Sequence, residues 1–146
     1  TVPPTVNLAE RTEDGFGQGK VLVTPFGMAL VAATVAAGKT PTPHLIVGSQ
    51  TSETGDHPPI TPAMLDGLRP MMRLVVTNGT AKDINDAGDV RGKTGEAEFA
   101  GGSHAWFAGY RGDMAFAALI VGGGSSEYAV RMVKMMLQEL PADYLA

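Results

Sequence analysis

Apolar positions follow helical spacing early and late in the chain and strand spacing in between. Residues 1–20 are polar and punctuated, with Pro3, Pro4 and the run Glu10-Arg11-Thr12-Glu13-Asp14-Gly15, and read as an irregular lead-in. Gly15-Phe16-Gly17-Gln18-Gly19 is too rich in glycine for the interior of a helix or strand. Thr24-Pro25 opens a helix: a Thr N-cap accepts from a free backbone N–H, and Pro at the first helical position has no N–H to leave unpaired. Phe26 to Ala37 is apolar nearly all round, which predicts a buried helix stopped by Gly38. Pro41 and Pro43 keep the next stretch out of a helix, Leu45-Ile46-Val47 is a short strand candidate, and Ser49 to Pro59 is a polar surface loop. Thr61-Pro62 repeats the helix-start signal, with a helix to about Asn78 that Pro70 should break or kink.

Ala81 to Asp89 reads as a polar loop. Three strands are predicted after it, roughly Val90 to Phe99, His104 to Tyr110 and Met114 to Val121. The links Ala100-Gly101-Gly102-Ser103 and Arg111-Gly112-Asp113 are short enough for hairpins, so the strands should be antiparallel neighbours. A last helix follows from about Ser126 to Leu140. Ala129, Met132, Val133, Met136 and Leu140 form its predicted apolar face, opposite Arg131, Lys134 and Gln138. The sum is an α/β protein of the α+β type, an antiparallel sheet flanked by helices.

Composition narrows the function classes. The 146 residues suffice for one domain, and 44% hydrophobic against 18% charged residues argues against wholesale disorder. A net charge of −4 with no basic run makes nucleic acid and anionic membranes poor partners. The absence of Cys excludes disulfide and thiol chemistry. No apolar run approaches the roughly 20 residues of a spanning helix. The chain opens Thr1-Val2-Pro3-Pro4 without an initiator Met, and we expect it to be the interior of a longer polypeptide.

Most candidate motifs have plain explanations. Gly38-Lys39-Thr40 and Gly92-Lys93-Thr94 resemble the end of a phosphate-binding loop, but Ala33 and Ala87 hold its first Gly position and no helix follows either. Arg111-Gly112-Asp113 is a tight turn. His44, His57 and His104 lack metal-ligand spacing, and the eight Met residues read mostly as core. No metal or cofactor is expected.

Lys93-Thr94-Gly95 stands apart. Lys93 and Thr94 can hold a carboxylate by charge and hydrogen bond. Gly95 admits a ligand close to the backbone, and the Glu96 N–H can donate to a developing oxyanion. Strand alternation puts Lys93 and Thr94 on opposite faces, so both serve one cleft only if their strand borders it.

The surrounding run Val90-Arg91-Gly92-Lys93-Thr94-Gly95-Glu96-Ala97-Glu98 resembles the third active-site motif of penicillin-binding proteins and serine β-lactamases. Gly17-Gln18-Gly19 with Thr24-Pro25 and Met28-Ala29, then Val75-Val76 with Gly79-Thr80-Ala81, then His104-Ala105-Trp106-Phe107-Ala108-Gly109-Tyr110, resemble successive segments of class B penicillin-binding transpeptidases. The resemblance runs from about Gly15 to Leu140. It implies that residues 1–146 are the C-terminal portion of a transpeptidase domain whose full fold is a five-stranded antiparallel sheet with helices on both faces. It implies a serine D,D-transpeptidase on the extracytoplasmic face of a bacterial membrane. Its partners would be stem peptides ending in D-Ala-D-Ala, β-lactams and the upstream part of the same protein. Lys93 would place the substrate carboxylate and join the proton relay, Thr94 would contact the same carboxylate, and Glu96 would give its backbone to the oxyanion hole.

Two departures stand out. Glu96 replaces the usual Thr, and we expect its carboxylate to turn outward or to pair with Lys93 or Arg91. The Ser-x-x-Lys and Ser-x-Asn motifs are absent from this sequence. The chain alone should therefore supply one wall of the site and not the nucleophile. A β-lactam sensor or β-lactamase relative of the same fold, and a non-catalytic sheet domain binding a partner through the Lys93 strand or the Ser49–Pro59 loop, remain as alternatives.

Overall fold

The elements run α1 (Leu8–Gly15), α2 (Pro25–Ala37), α3 (Pro62–Thr77), a 3-10 helix (Lys82–Ala87), β1 (Arg91–Phe99), β2 (Gly102–Arg111), β3 (Met114–Ile120) and α4 (Ser126–Glu139). The computed structural model describes residues 4, 7–49, 51–52, 58–141 and 144. The expected residue His57 and much of the Ser49–Pro59 loop lie outside the described residues.

The helix-start signals act as their chemistry requires. Thr24 Oγ1 accepts from Gly27 N at 3.0 Å and Thr61 Oγ1 from Met64 N at 3.3 Å, each with Pro next in sequence. Gly38 closes α2 in the left-handed region, at φ 77°.

Several expectations need correction. The lead-in contains a helix, α1, because Asn7 caps it by accepting from Glu10 N at 2.9 Å and residues 8–11 are good helix formers. Leu45-Ile46-Val47 is no strand: it forms an exposed turn, and the sheet offers it no partner. Pro70 does not break α3. It sits on the exposed side, so water can reach the Asp66 carbonyl that loses its helical partner there. The polar loop at 81–89 holds the 3-10 helix, anchored by Ala81 and Ile84, both fully buried.

The sheet has the order β1-β2-β3, with both pairings antiparallel. Gly95 faces Trp106 and Thr94 faces Phe107 in the first ladder; Phe107 faces Ala118 in the second. Two-residue turns join the strands, with Gly101 at φ 99° and Gly112 at φ 54° supplying backbone that side chains resist. On one sheet face Ala105, Phe107, Phe116 and Ala118 pack with α4, Val76 of α3 and Ile84. α2 lies against the other face, along β2 and β3.

α4 is rotated from the expected face. Its buried residues are Ser126, Ala129, Val130, Val133 and Leu137, while Met132 and Met136 stay exposed. Both sets have helical spacing. The sheet selects the one with small and branched side chains, which pack more closely on a pleated surface. Five of the eight Met residues are exposed, so the expectation of core methionines is also corrected. Likewise α2 buries only Ala32 and Val35, leaving Phe26 and Val31 half exposed despite its all-round apolar character.

Charged side chains stitch the elements. Arg73 of α3 donates to Val90 O at 2.9 Å and Asn85 Oδ1 at 2.9 Å, tying the start of β1 to the helix. Arg69 donates to the carbonyls of Val35 and Ala36 at 3.1 and 2.7 Å, satisfying the end of α2. Lys134 of α4 reaches Asp83 O and Asp86 Oδ2 at 2.6 and 2.8 Å. That ion pair holds the Asp86 carboxyl below its ordinary value, chiefly through the hydrogen bond.

Candidate active site

β1 is an edge strand of the sheet, and its open side borders a cleft of about 650 Å³. Lys93, Thr94, Gly95 and Glu96 all line that cleft, so the strand serves it from both faces as the sequence required. The glycine-rich segment and its continuation, including Phe16, Gln18 and Leu22, line it as well, and so do Thr80 after α3, Trp106 of β2 and Ser126 of α4.

Lys93 is exposed and donates to the Thr94 carbonyl at 2.6 Å, which draws its ammonium along the open edge. An ammonium has three donors, and this bond uses one. Thr94 points to the other face and is 6% exposed. Its hydroxyl lies 2.6 Å from that of Thr80, in the turn after α3. When Thr80 donates, the Thr94 proton is left for a ligand in the cleft. Thr80 was not singled out by the sequence for this role; its only signal was its place in the Gly79-Thr80-Ala81 turn.

Two glycines of the motif region serve different ends. A Cβ at Gly92 would stand 2.7 Å from the Phe107 ring and 2.9 Å from Ala108 O, so the core excludes it. A Cβ at Gly95 would meet Trp106 Cβ at 3.4 Å, an ordinary contact. The fold tolerates a side chain at Gly95, and what the glycine preserves is open space over the cleft.

Of the two placements expected for the Glu96 carboxylate, turned outward or paired with a cation, the cation pairing is corrected. It pairs with neither Lys93 nor Arg91. Its Oε1 accepts from Ser126 N at 2.9 Å, at the first turn of α4, and Arg91 pairs instead with Asp89 at 3.0 Å. The helix end offers an unpaired N–H and partial positive charge, which a carboxylate satisfies without immobilising a long cationic side chain. The Ser126 N–H, followed by the Ser126 hydroxyl, lowers the Glu96 pKa. The carboxylate is thus directed to α4, and the edge strand is tethered to that helix.

Gln18 was read as part of a glycine-rich run and of the Gly17-Gln18-Gly19 resemblance, with no role of its own. Its side-chain amide donates to Glu96 O at 2.9 Å and accepts from Glu98 N at 3.3 Å. In an antiparallel pair, alternate residues turn both backbone groups away from the partner strand. Glu96 and Glu98 are such residues, so the Glu96 N–H faces the same open edge. His104 braces the sheet: its Nδ1 accepts from Gly122 N at 3.0 Å, and the ring stacks on Phe99. Among the described residues no cluster of His, Cys, Asp and Glu could hold a metal ion.

The chain was compared with known proteins. It resembles a crystal structure of Pseudomonas aeruginosa PBP2 in complex with WCK 5153, at 25% identity and a TM-score of 0.67. That likeness covers 94% of this chain and 35% of the other, so this chain spans about a third of its relative's length. A search of curated proteins gave no match. Residues 6–138 match the family described as penicillin binding protein transpeptidase domain. With nearly the whole sequence matched and the fold shared, the chain belongs to the penicillin-binding protein transpeptidase domain family.

Proposed function

We propose that this chain supplies the Lys-Thr-Gly wall of a serine D,D-transpeptidase that cross-links peptidoglycan stem peptides and is acylated by β-lactams. The observation that carries the reading is the open β1 edge, where Lys93, Thr94, Gly95 and the Glu96 N–H border one cleft.

In this reading a Ser from the upstream part of the protein attacks the carbonyl between the two terminal D-Ala residues of a stem peptide. The C–N bond breaks, the leaving amine takes a proton, and D-Ala departs. An amine of a neighbouring peptide then attacks the Ser ester, forming the cross-link and restoring the Ser. Each attack builds an oxyanion, and the Glu96 N–H stabilises it from a backbone position that needs no reorganisation. Lys93 holds the terminal carboxylate by a charge-assisted bond and joins the proton relay, while the Thr94 hydroxyl adds a second bond. β-Lactams present a carboxylate and a reactive amide in the same relation and stop at the ester. The half-exposed Phe26 and Val31, with Leu22 and Val23, support an upstream part packed on this side.

Intact-mass spectrometry of the full-length protein with benzylpenicillin tests the reading. A one-drug adduct on a Ser outside this chain is expected, with acylation slowed in Lys93→Ala by about 10²-fold, the scale of losing one charge-stabilising donor. An unmodified wild-type protein at saturating drug would overturn the acyl-enzyme reading.

A further inference from the structure

We propose that Gln18 is a latch on the β1 edge, a positioning residue that an extended acyl donor must displace before it can pair with Glu96. The proposal rests on the transpeptidase reading of the same cleft.

An open strand edge is a template for an added strand, which binds through its backbone N–H and C=O groups. On β1 those groups belong to Thr94, Glu96 and Glu98. Gln18 already occupies two of them. Its planar amide spans the Glu96 carbonyl and the Glu98 N–H, at 2.9 and 3.3 Å, as a peptide group of a docked strand would. The Lys93 ammonium holds the Thr94 carbonyl. Among the groups these contacts leave presented is the Glu96 N–H, with the Lys93 and Thr94 side chains beside it.

The segment bearing Gln18 is built to hold that pose. Gly17 and Gly19 take positive φ, at 85° and 66°, on either side of it. Gln18 N donates to Glu13 O at 2.9 Å, and a Cβ at Gly19 would stand 2.9 Å from Asp14 Oδ1. The backbone is thereby pinned to the end of α1 while the side chain reaches across the cleft. Ligands then divide into two kinds. One that needs only a carboxylate site and the Glu96 N–H leaves the latch shut. One whose acyl side carries an amide requires the Glu96 carbonyl and competes with Gln18 for it.

The test compares acylation of the full-length protein by benzylpenicillin, which has a side-chain amide, and by 6-aminopenicillanic acid, which shares its ring and carboxylate but lacks that amide. In Gln18→Ala the ratio of the two acylation rate constants should shift toward benzylpenicillin by about three- to tenfold, the scale of one or two net hydrogen bonds. Gln18→Glu keeps the length and the acceptor for Glu98 N–H but cannot donate to Glu96, and should shift the ratio the same way. An unchanged ratio, or a shift toward 6-aminopenicillanic acid, overturns the latch and makes Gln18 a brace. Hydrogen exchange in the free protein reads the latch without chemistry: the Glu98 amide should exchange faster in Gln18→Ala than in wild type, and equal exchange overturns the proposal. A wild type that neither drug acylates overturns the transpeptidase reading, while the exchange experiment still decides whether Gln18 holds the edge.

Discussion

Replacing Gly92 by Ala should weaken the fold, and replacing Gly95 by Ala should not, although both glycines lie on one strand three residues apart. Neither has a positive φ, so neither substitution strains the backbone. Each also removes freedom from the unfolded chain, a stabilising effect of about 0.4–1 kcal/mol that is common to both and cancels in the comparison. The difference is the space each methyl meets. At Gly92 it would lie 2.7 Å from two atoms of the Phe107 ring and 2.9 Å from the Ala108 carbonyl. Phe107 is fully buried and packs on Phe116 with ring centroids 5.7 Å apart, so it has nowhere to withdraw. Overpacking of this kind costs about 1–3 kcal/mol. At Gly95 the nearest atom is Trp106 Cβ at 3.4 Å, and nothing must move. The two variants should therefore differ by about 1–3 kcal/mol in unfolding free energy, with Gly92→Ala the less stable. Urea unfolding of the full-length variants, followed by near-ultraviolet circular dichroism, measures this as a difference in midpoint at constant slope. Acylation by benzylpenicillin supplies the converse readout: Gly95→Ala should fold and yet react slowly, because its methyl projects over the cleft. Equal midpoints, or Gly95→Ala as the less stable variant, would refute the assignment of Gly92 to the core and Gly95 to the site.

Other outcomes follow from the same geometry. Glu96 has a lowered pKa, so the stability it contributes is present above its ordinary value near 4.5 and is lost as pH falls through the depressed one. The Tm difference between wild type and Glu96→Gln should accordingly shrink as the solution is acidified below that range; a gap independent of pH would contradict the tether to Ser126. Arg73→Met should destabilise the protein by about 1–3 kcal/mol, because it strips a charged donor from the carbonyl of buried Val90; an unchanged chemical-denaturation midpoint would show that water replaces it. Thr94→Val should cost about 1 kcal/mol through loss of the Thr80 bond, and should weaken capture of a β-lactam carboxylate more than it slows the later chemical step; equal effects on both would argue against carboxylate contact.

The strands, their hairpins and the starts of α2 and α3 were legible because they rest on local chemistry. Thr-Pro caps and glycine turns act within a few residues of themselves, and the sequence displays both partners. The Lys93-Thr94-Gly95 motif was legible for a similar reason, as a short run whose residue types suggest one ligand chemistry. The face of α4 was not. Its heptad-like pattern admits two stripes, and only the shape of the sheet chooses Val130 and Leu137 over Met132 and Met136. Exposure of α2 was hidden for the opposite reason: an apolar helix states that it needs a cover without stating where the cover is.

What the sequence determined by itself was the starts of α2 and α3, the existence of α4, the antiparallel meander and the Lys93-Thr94-Gly95 motif, while α1 and the 3-10 helix went unread. Tertiary structure alone decided which backbone groups of β1 are open and what already holds them. Glu96 meets Ser126 thirty residues on, and Gln18 meets Glu96 across seventy-eight. Contacts so distant in sequence leave no periodic trace, since each depends on two segments being brought together by the packing of everything between them. A Glu beside a Lys invites an ion pair on paper; in the fold, the N–H of a helix end takes its carboxylate.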